Sequence, residues 1–225
     1  MHICGKGAIG GRKSKFAGLT GQLDRSSARF MKGGELIGNS EGGAMARALV
    51  FPGQGSQAVG MGKELAEALP TARAVFEEVD EALSQNLSRL MFEGPIEELT
   101  LTENAQPALM AMSLAVTRVL RRDGGLEFGK HCKFVAGHSL GEYSALCAAD
   151  AFALDATARL LKKRGQAMQK AVPVGQGAMA ALLGLEVEAA AGVARDAAEG
   201  QICDTANDNA PGQVVVSGNR EAVER

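Results

Sequence analysis

Phe134-Val135-Ala136 runs directly into Gly137-His138-Ser139-Leu140-Gly141, and a helix-forming stretch to about residue 149 follows. Such a pattern fits a short strand, a sharp elbow and a helix. It ties the chain to a helix-covered sheet, since the strand needs neighbours and the helix needs a face to lie on. In an elbow of this kind the serine hydroxyl stands exposed at the C-terminal edge of the sheet. The flanking glycines are required because a Cβ at either place collides with the adjoining strand or helix. The new helix aims its first amides at any developing oxyanion, with the Leu140 N–H as the nearest donor. A plainer reading stands beside this one: a glycine-flanked turn whose serine only caps the helix.

The pattern on either side extends the same architecture. Residues 48–51 read as a short buried strand stopped by Pro52, and Gly53-Gln54-Gly55-Ser56-Gln57 as a tight loop. After Pro70, Ala72, Val75, Phe76, Val79, Ala82 and Leu83 recur at helical spacing. Residues 108–120 are apolar nearly all round, which marks a central buried helix ended by Gly124-Gly125. Asp155 is placed to cap a helix that runs to about residue 171, before Pro173. Strands alternating with helices predict an α/β fold with a mostly parallel sheet. Past Gly175 and Gly177 the rhythm changes to strand (178–183), helix (187–198), strand (201–204) and strand (213–216). Asn219 would then cap a last helix. Strand, helix, strand, strand, helix is a ferredoxin-like unit without its final strand, so the sequence is expected to be cut short. The expected divisions are an irregular extension over 1–44, an α/β domain over 45–174 and a partial small subdomain over 175–225.

Charge is uneven along the chain. Residues 1–44 carry seven Lys/Arg against three Asp/Glu, which leaves 17 against 23 in the remainder. An acidic globular part lacks the basic face that a nucleic-acid backbone requires, so no nucleic-acid partner is expected. No apolar run is long enough to span a bilayer, so no membrane partner is expected either. Cys4, Cys132, Cys147 and Cys203 are widely spaced, which points to small buried side chains in a reducing compartment rather than to a metal site. Residues 1–44 hold eleven glycines and no sustained apolar period, so no packed element is expected there. They lack a secretory apolar core, and their glycine density argues against a transit peptide. Met45 as the natural start is the favoured reading.

Besides the Leu140 amide, three positions carry the chemistry. Ser139 is the candidate nucleophile, and Gln54, in the loop after the first strand, is placed to offer a second oxyanion N–H or merely to form a turn. Gly53-x-Gly55-x-x-Ala58 also matches a dinucleotide fingerprint, but Glu77 and Glu78, at the distance of its acidic residue, fall inside a helix. Arg164 falls on the stripe Thr157, Leu160, Leu161, Arg164, Ala167, Met168 and Ala171, which should face the core. A guanidinium there needs neutralising, either by an internal partner such as Glu142 or by a substrate carboxylate. A serine nucleophile also needs a base. His2 lies in the irregular extension, His131 at the start of the strand, and His138 points away from Ser139, so none qualifies.

Phe51-Pro-Gly-Gln-Gly-Ser-Gln57, Thr102-x-x-Ala-Gln-Pro-Ala108, Gly137-His-Ser-Leu-Gly-Glu-Tyr-Ser-Ala-Leu146 and Asn207-x-Asn-x-Pro-Gly-Gln213 occur in that order. Together they resemble the malonyl-CoA:acyl-carrier-protein transacylases of type II fatty-acid synthesis, from about residue 46 to the end. The resemblance implies Ser139 as the acylated nucleophile, Gln54 and Leu140 as oxyanion-hole amides, Arg164 on the malonyl carboxylate and Asn209 near the substrate. It implies an α/β-hydrolase-like large domain with an inserted ferredoxin-like small domain. It further implies ping-pong transfer from malonyl-CoA to acyl carrier protein, without metal or bound cofactor, by a cytoplasmic monomer. The family's base histidine and its orienting glutamine have no counterpart in this sequence, so impaired activity is expected. The alternatives are an esterase, and an inert or merely binding fragment.

Overall fold

A computed structural model of the chain describes residues 2–5, 47–173 and 175–225. They divide into two compact units that part between Ala167 and Met168.

In the first unit, β2 (Ala48–Phe51) pairs in parallel with β3 (Phe134–Gly137), Phe51 opposite Gly137. The two strands therefore end at the same level. β1 (His2–Gly5) adds to the other side of β3, antiparallel. Its presence corrects the expectation that the leader contributes no packed element. Backbone pairing to an open strand edge needs no apolar side-chain pattern, so periodicity gave no sign of it. The remainder of the expected 1–44 extension lies outside the described residues.

Helices α1 (Lys63–Ala68), α2 (Pro70–Leu83), α3 (Leu87–Glu93) and α4 (Ile96–Thr100) separate β2 from the long α5 (Thr102–Arg122). The short α6 (Phe128–His131) precedes β3, so His131 closes a helix rather than opening the strand. Its Nδ1 lies 2.8 Å from the Glu127 carbonyl of that turn. α7 (Leu140–Ala148) and α8 (Leu154–Ala171) follow the elbow. The core joins Val75, Phe76 and Val79 of α2 to Leu109, Met110 and Leu114 of α5, with Leu140 of α7 and Val135 of β3. Full burial of one such Leu or Val side chain stabilises by about 1.5–3 kcal/mol.

Three details differ from the sequence reading. α5 begins at Thr102 and carries Pro107 buried in its second turn. There the missing N–H costs one intrahelical bond, and packing around the residue absorbs it. Asp155 lies in the first turn of α8, where it bonds Arg159, instead of capping the helix. The buried stripe of α8 is Leu154, Thr157, Ala158, Leu161 and Gly165. Leu160, Ala167, Met168 and Ala171 are exposed and Arg164 sits at the border. The shift follows from Gly165, where the helix runs so close to α5 that a Cβ would lie 2.5 Å from Glu103 Cα.

In the second unit, β4 (Gly177–Leu183), α9 (Val187–Ala198), β5 (Cys203–Ala210), β6 (Gln213–Asn219) and α10 (Arg220–Glu224) follow in order. β6 lies between β4 and β5, antiparallel to both, so β4-α9-β5 is a split β-α-β unit. β5 runs six residues beyond the expected 204, because Asp204-Thr-Ala-Asn-Asp-Asn209 has the composition of a turn. Asn219 stands at the start of α10 without capping it; its Oδ1 accepts the Ile202 N–H at 2.9 Å. Among the described residues, no helix is long and apolar enough to cross a membrane.

Candidate active site

Ser139 joins β3 to α7 with φ 53° and ψ −112°, a conformation that costs a non-glycine residue about 1–3 kcal/mol. The local packing enforces it. A Cβ on Gly137 would lie 1.9 Å from the Gly141 carbonyl carbon. One on Gly141 would lie 2.4 Å from Phe51 O and 2.7 Å from Pro52 O. Both glycines of the motif are therefore steric requirements of a helix that starts against the ends of two strands. The His138 N–H donates to Phe51 O at 3.2 Å, which locks the elbow to the end of β2.

The loop after β2 is held against the same elbow. A Cβ on Gly53 would lie 2.6 Å from His138 Nδ1, so the imidazole rests against that loop. Gln54 follows, exposed, and its Oε1 accepts the Thr102 hydroxyl at 2.9 Å. The Gln54 and Leu140 N–H groups donate to no protein oxygen among the described residues. For Leu140 this is the orphan amide of a helix start.

The Ser139 side chain makes no capping bond. Its exposed Oγ instead accepts from Arg164 Nη2 at 2.9 Å. The plainer reading of the motif, a serine that caps its own helix, is thereby excluded. Arg164 Nη1 donates to Gln106 Oε1 at 2.6 Å, and the guanidinium carbon lies 5.8 Å from the Tyr143 ring centroid. Glu142, the internal partner open in the sequence, forms no ion pair with Arg164 among the described residues. The charge thus rests on a neutral amide, a hydroxyl and a ring face, all of which a carboxylate outbids as partner.

Gln106 and Thr102 were not singled out from the sequence as site residues. Gln106 is fully buried, and its Nε2 donates to the Thr102 hydroxyl at 2.8 Å. Arg164, Gln106, Thr102 and Gln54 thus form one hydrogen-bonded line from α8 through α5 to the loop after β2. The available signal was a glutamine two residues before the apolar run 108–120, where burial of its amide would demand a partner. Asn209 lies on β5 of the second unit, at the irregularity between Asp208 and Ala210.

Comparisons with known proteins identify the family. Residues 48–225 match the acyl transferase domain family. A malonyl CoA-acyl carrier protein transacylase of Bacillus subtilis is 51% identical over 178 residues, which are 79% of this chain and 55% of that protein. The Escherichia coli K12 protein of the same name is 48% identical, over 79% of this chain and 56% of its own length. The chain thus spans about half the length of the curated relatives it matches. An acyl-carrier-protein S-malonyltransferase of Bartonella henselae superposes with a TM-score of 0.75 at 59% identity, covering 80% of this chain and 57% of that one. A malonyl-transacylase solved in complex with a type II polyketide acyl-carrier protein superposes with a TM-score of 0.72 at 45% identity, over 80% and 57%.

Proposed function

The chain belongs to the acyl transferase domain family, and from that premise we propose that it carries the acyl-binding half of a malonyl-CoA:acyl-carrier-protein transacylase. The observation that carries the reading is the Arg164–Ser139 bond, a fixed cation at a strained, exposed serine.

In this reading Ser139 Oγ attacks the thioester carbonyl of malonyl-CoA. The carbonyl oxygen takes up negative charge, and the N–H groups of Gln54 and Leu140 receive it. As the carbonyl re-forms, the C–S bond breaks, coenzyme A leaves as thiolate and takes a proton, and the malonyl group remains as a seryl ester. Arg164 exchanges its bond to Ser139 for a two-pronged one to the free carboxylate of the malonyl group. The phosphopantetheine thiol of acyl carrier protein then attacks the ester, restoring the serine. The Ser139 proton must pass to a base, and His131 Nδ1 is instead 2.8 Å from the Glu127 carbonyl of its own helix turn. Asn209 is assigned to the substrate side of the site.

The proposal extends to setting and architecture. The first unit corresponds to the α/β-hydrolase-like part, over about 45–174, and the second to a ferredoxin-like subdomain, over about 175–225. Acyl carrier protein is the protein partner, by analogy with the relative solved in such a complex. The protein acts as a monomer, without cofactor, nucleic acid or membrane, in the cytoplasm, where the thiols of Cys147 and Cys203 would persist. An esterase reading leaves Arg164 without a purpose, because an uncharged ester offers its guanidinium no carboxylate.

Ping-pong order supplies the test. Protein loaded with malonyl-CoA, freed of nucleotide and then given phosphopantetheinylated carrier protein should pass its malonyl group to the carrier, read by intact mass of both proteins. Loss of the malonyl group to water at the same rate with or without carrier would contradict transfer.

A further inference from the structure

We propose that Gly165 and Lys162 are positioning residues for acyl selection, seating α8 on the first turn of α5 and so fixing where the Arg164 guanidinium stands. The inference rests on the transacylase reading above and adds to it the device that holds its carboxylate-binding cation.

Gly165 is buried, and a Cβ there would lie 2.5 Å from Glu103 Cα, 2.7 Å from Thr102 O and 2.8 Å from Glu103 N. All three atoms belong to the backbone, so no flexible side chain can yield. Carbon contacts settle near 3.5–4.0 Å, so any larger residue must push α8 away from α5 by about 1 Å. Lys162, just under one turn earlier, bolts the same seam. Its Nζ donates to Asn104 Oδ1 at 2.9 Å and lies 3.2 Å from Glu103 Oε2. Gln166 Nε2 adds a bond to Glu103 Oε2 at 3.3 Å. Residues 162, 165 and 166 of α8 thus meet residues 102–104 of α5, and Arg164 lies among them.

The bonds from Arg164 to Gln106 and Ser139, at 2.6 and 2.9 Å, tolerate little movement. A retreat of about 1 Å carries the longer of them past the limit of a hydrogen bond. Such a shift would weaken the hold on an acyl carboxylate and leave the Ser139 elbow, fixed by Gly137 and Gly141, where it is. Malonyl uptake should therefore suffer more than acetyl uptake, because an acetyl group carries no carboxylate for Arg164. A residue that served only stability would lower both alike.

The test follows acylation of Ser139 by intact mass with malonyl-CoA and with acetyl-CoA, on the 225-residue chain, Gly165→Ala and Lys162→Met. Circular dichroism reports folding of each. The malonyl-to-acetyl rate ratio should fall about ten-fold in Gly165→Ala and a few-fold in Lys162→Met. Should Gly165→Ala fail to fold, Lys162→Met decides, since it removes a bolt without adding bulk. An unchanged ratio in the folded variants, or equal loss of both rates, overturns the inference and leaves the transacylase reading intact. A parent chain that takes up neither acyl group overturns that reading, and this inference with it.

Discussion

Arg164 Nη2 donates to Ser139 Oγ across 2.9 Å, although Ser139 stands at the elbow before α7 and Arg164 lies 25 positions on, within α8. A guanidinium only donates, so the hydroxyl accepts, and its own proton stays available for transfer. The bond also sets a permanent charge beside the one side chain of the elbow that is held in a strained conformation. A structural arginine would be expected to pair with a carboxylate. Here the cation is held by a buried amide and a hydroxyl, and in the proposed reading its negative partner is the carboxylate of the substrate.

Arg164→Ala should therefore change selectivity before it changes reactivity. Malonyl uptake from malonyl-CoA is expected to fall about 100-fold, the scale of a lost bidentate ionic contact, with acetyl uptake equal or faster. Arg164→Lys should recover only part, because a single ammonium cannot match both carboxylate oxygens. Competition between the two thioesters, read by intact mass, checks this.

Gln106→Ala should act through Arg164 and the Gln54 loop together, because one amide bonds Arg164 on one side and Thr102 on the other. Malonyl uptake is expected to fall about ten-fold or more, beyond any loss shared with acetyl uptake. The Gln106→Ala, Arg164→Ala pair should be less than additive, since each removes the same contact.

Gly141→Ala tests the elbow itself. Its methyl group would sit 2.4 Å from Phe51 O, in contact with backbone that is paired to β3. A loss of about 3 kcal/mol or more is expected, measured as a lowered urea midpoint.

The glycines at 137 and 141 were legible in the sequence because sterics at an elbow admits almost nothing else. Arg164 was legible as a charge close to an apolar face, although the buried stripe ends at Gly165, whose role depends on the backbone of Glu103, and leaves Arg164 at its border. The Gln106–Arg164 bond joins residues 58 positions apart, and no local pattern encodes such a pairing. β5 was read short because its asparagines and aspartates prefer turns until the edge of β6 offers them a ladder. Short helices such as α3 and α4 hold too few residues for a period to show, although Leu87, Met91 and Leu99 are all fully buried.

Cys147 offers a check on packing that is independent of catalysis. Burial pushes its thiol above the ordinary value, against a lesser opposing bond with Thr157. The folded state then keeps the proton to higher pH than the unfolded chain does. Its contribution to stability is full below the unfolded value of about 8.5 and declines as pH rises above it. Iodoacetamide at pH 8 should label the part-exposed Cys203 first and spare Cys147 until urea is added. Equal labelling of both in the native protein would show that the α5–α7 core is looser than described.

The most direct measurement is the site of acylation. After incubation with malonyl-CoA, the 225-residue chain should gain the mass of one malonyl group, and proteolytic mapping should place it on Ser139. Ser139→Ala, with an unchanged circular dichroism spectrum, should gain none. An adduct that persists in Ser139→Ala, or a parent chain that never acquires one, would contradict the assignment of this elbow as the acyl-bearing centre.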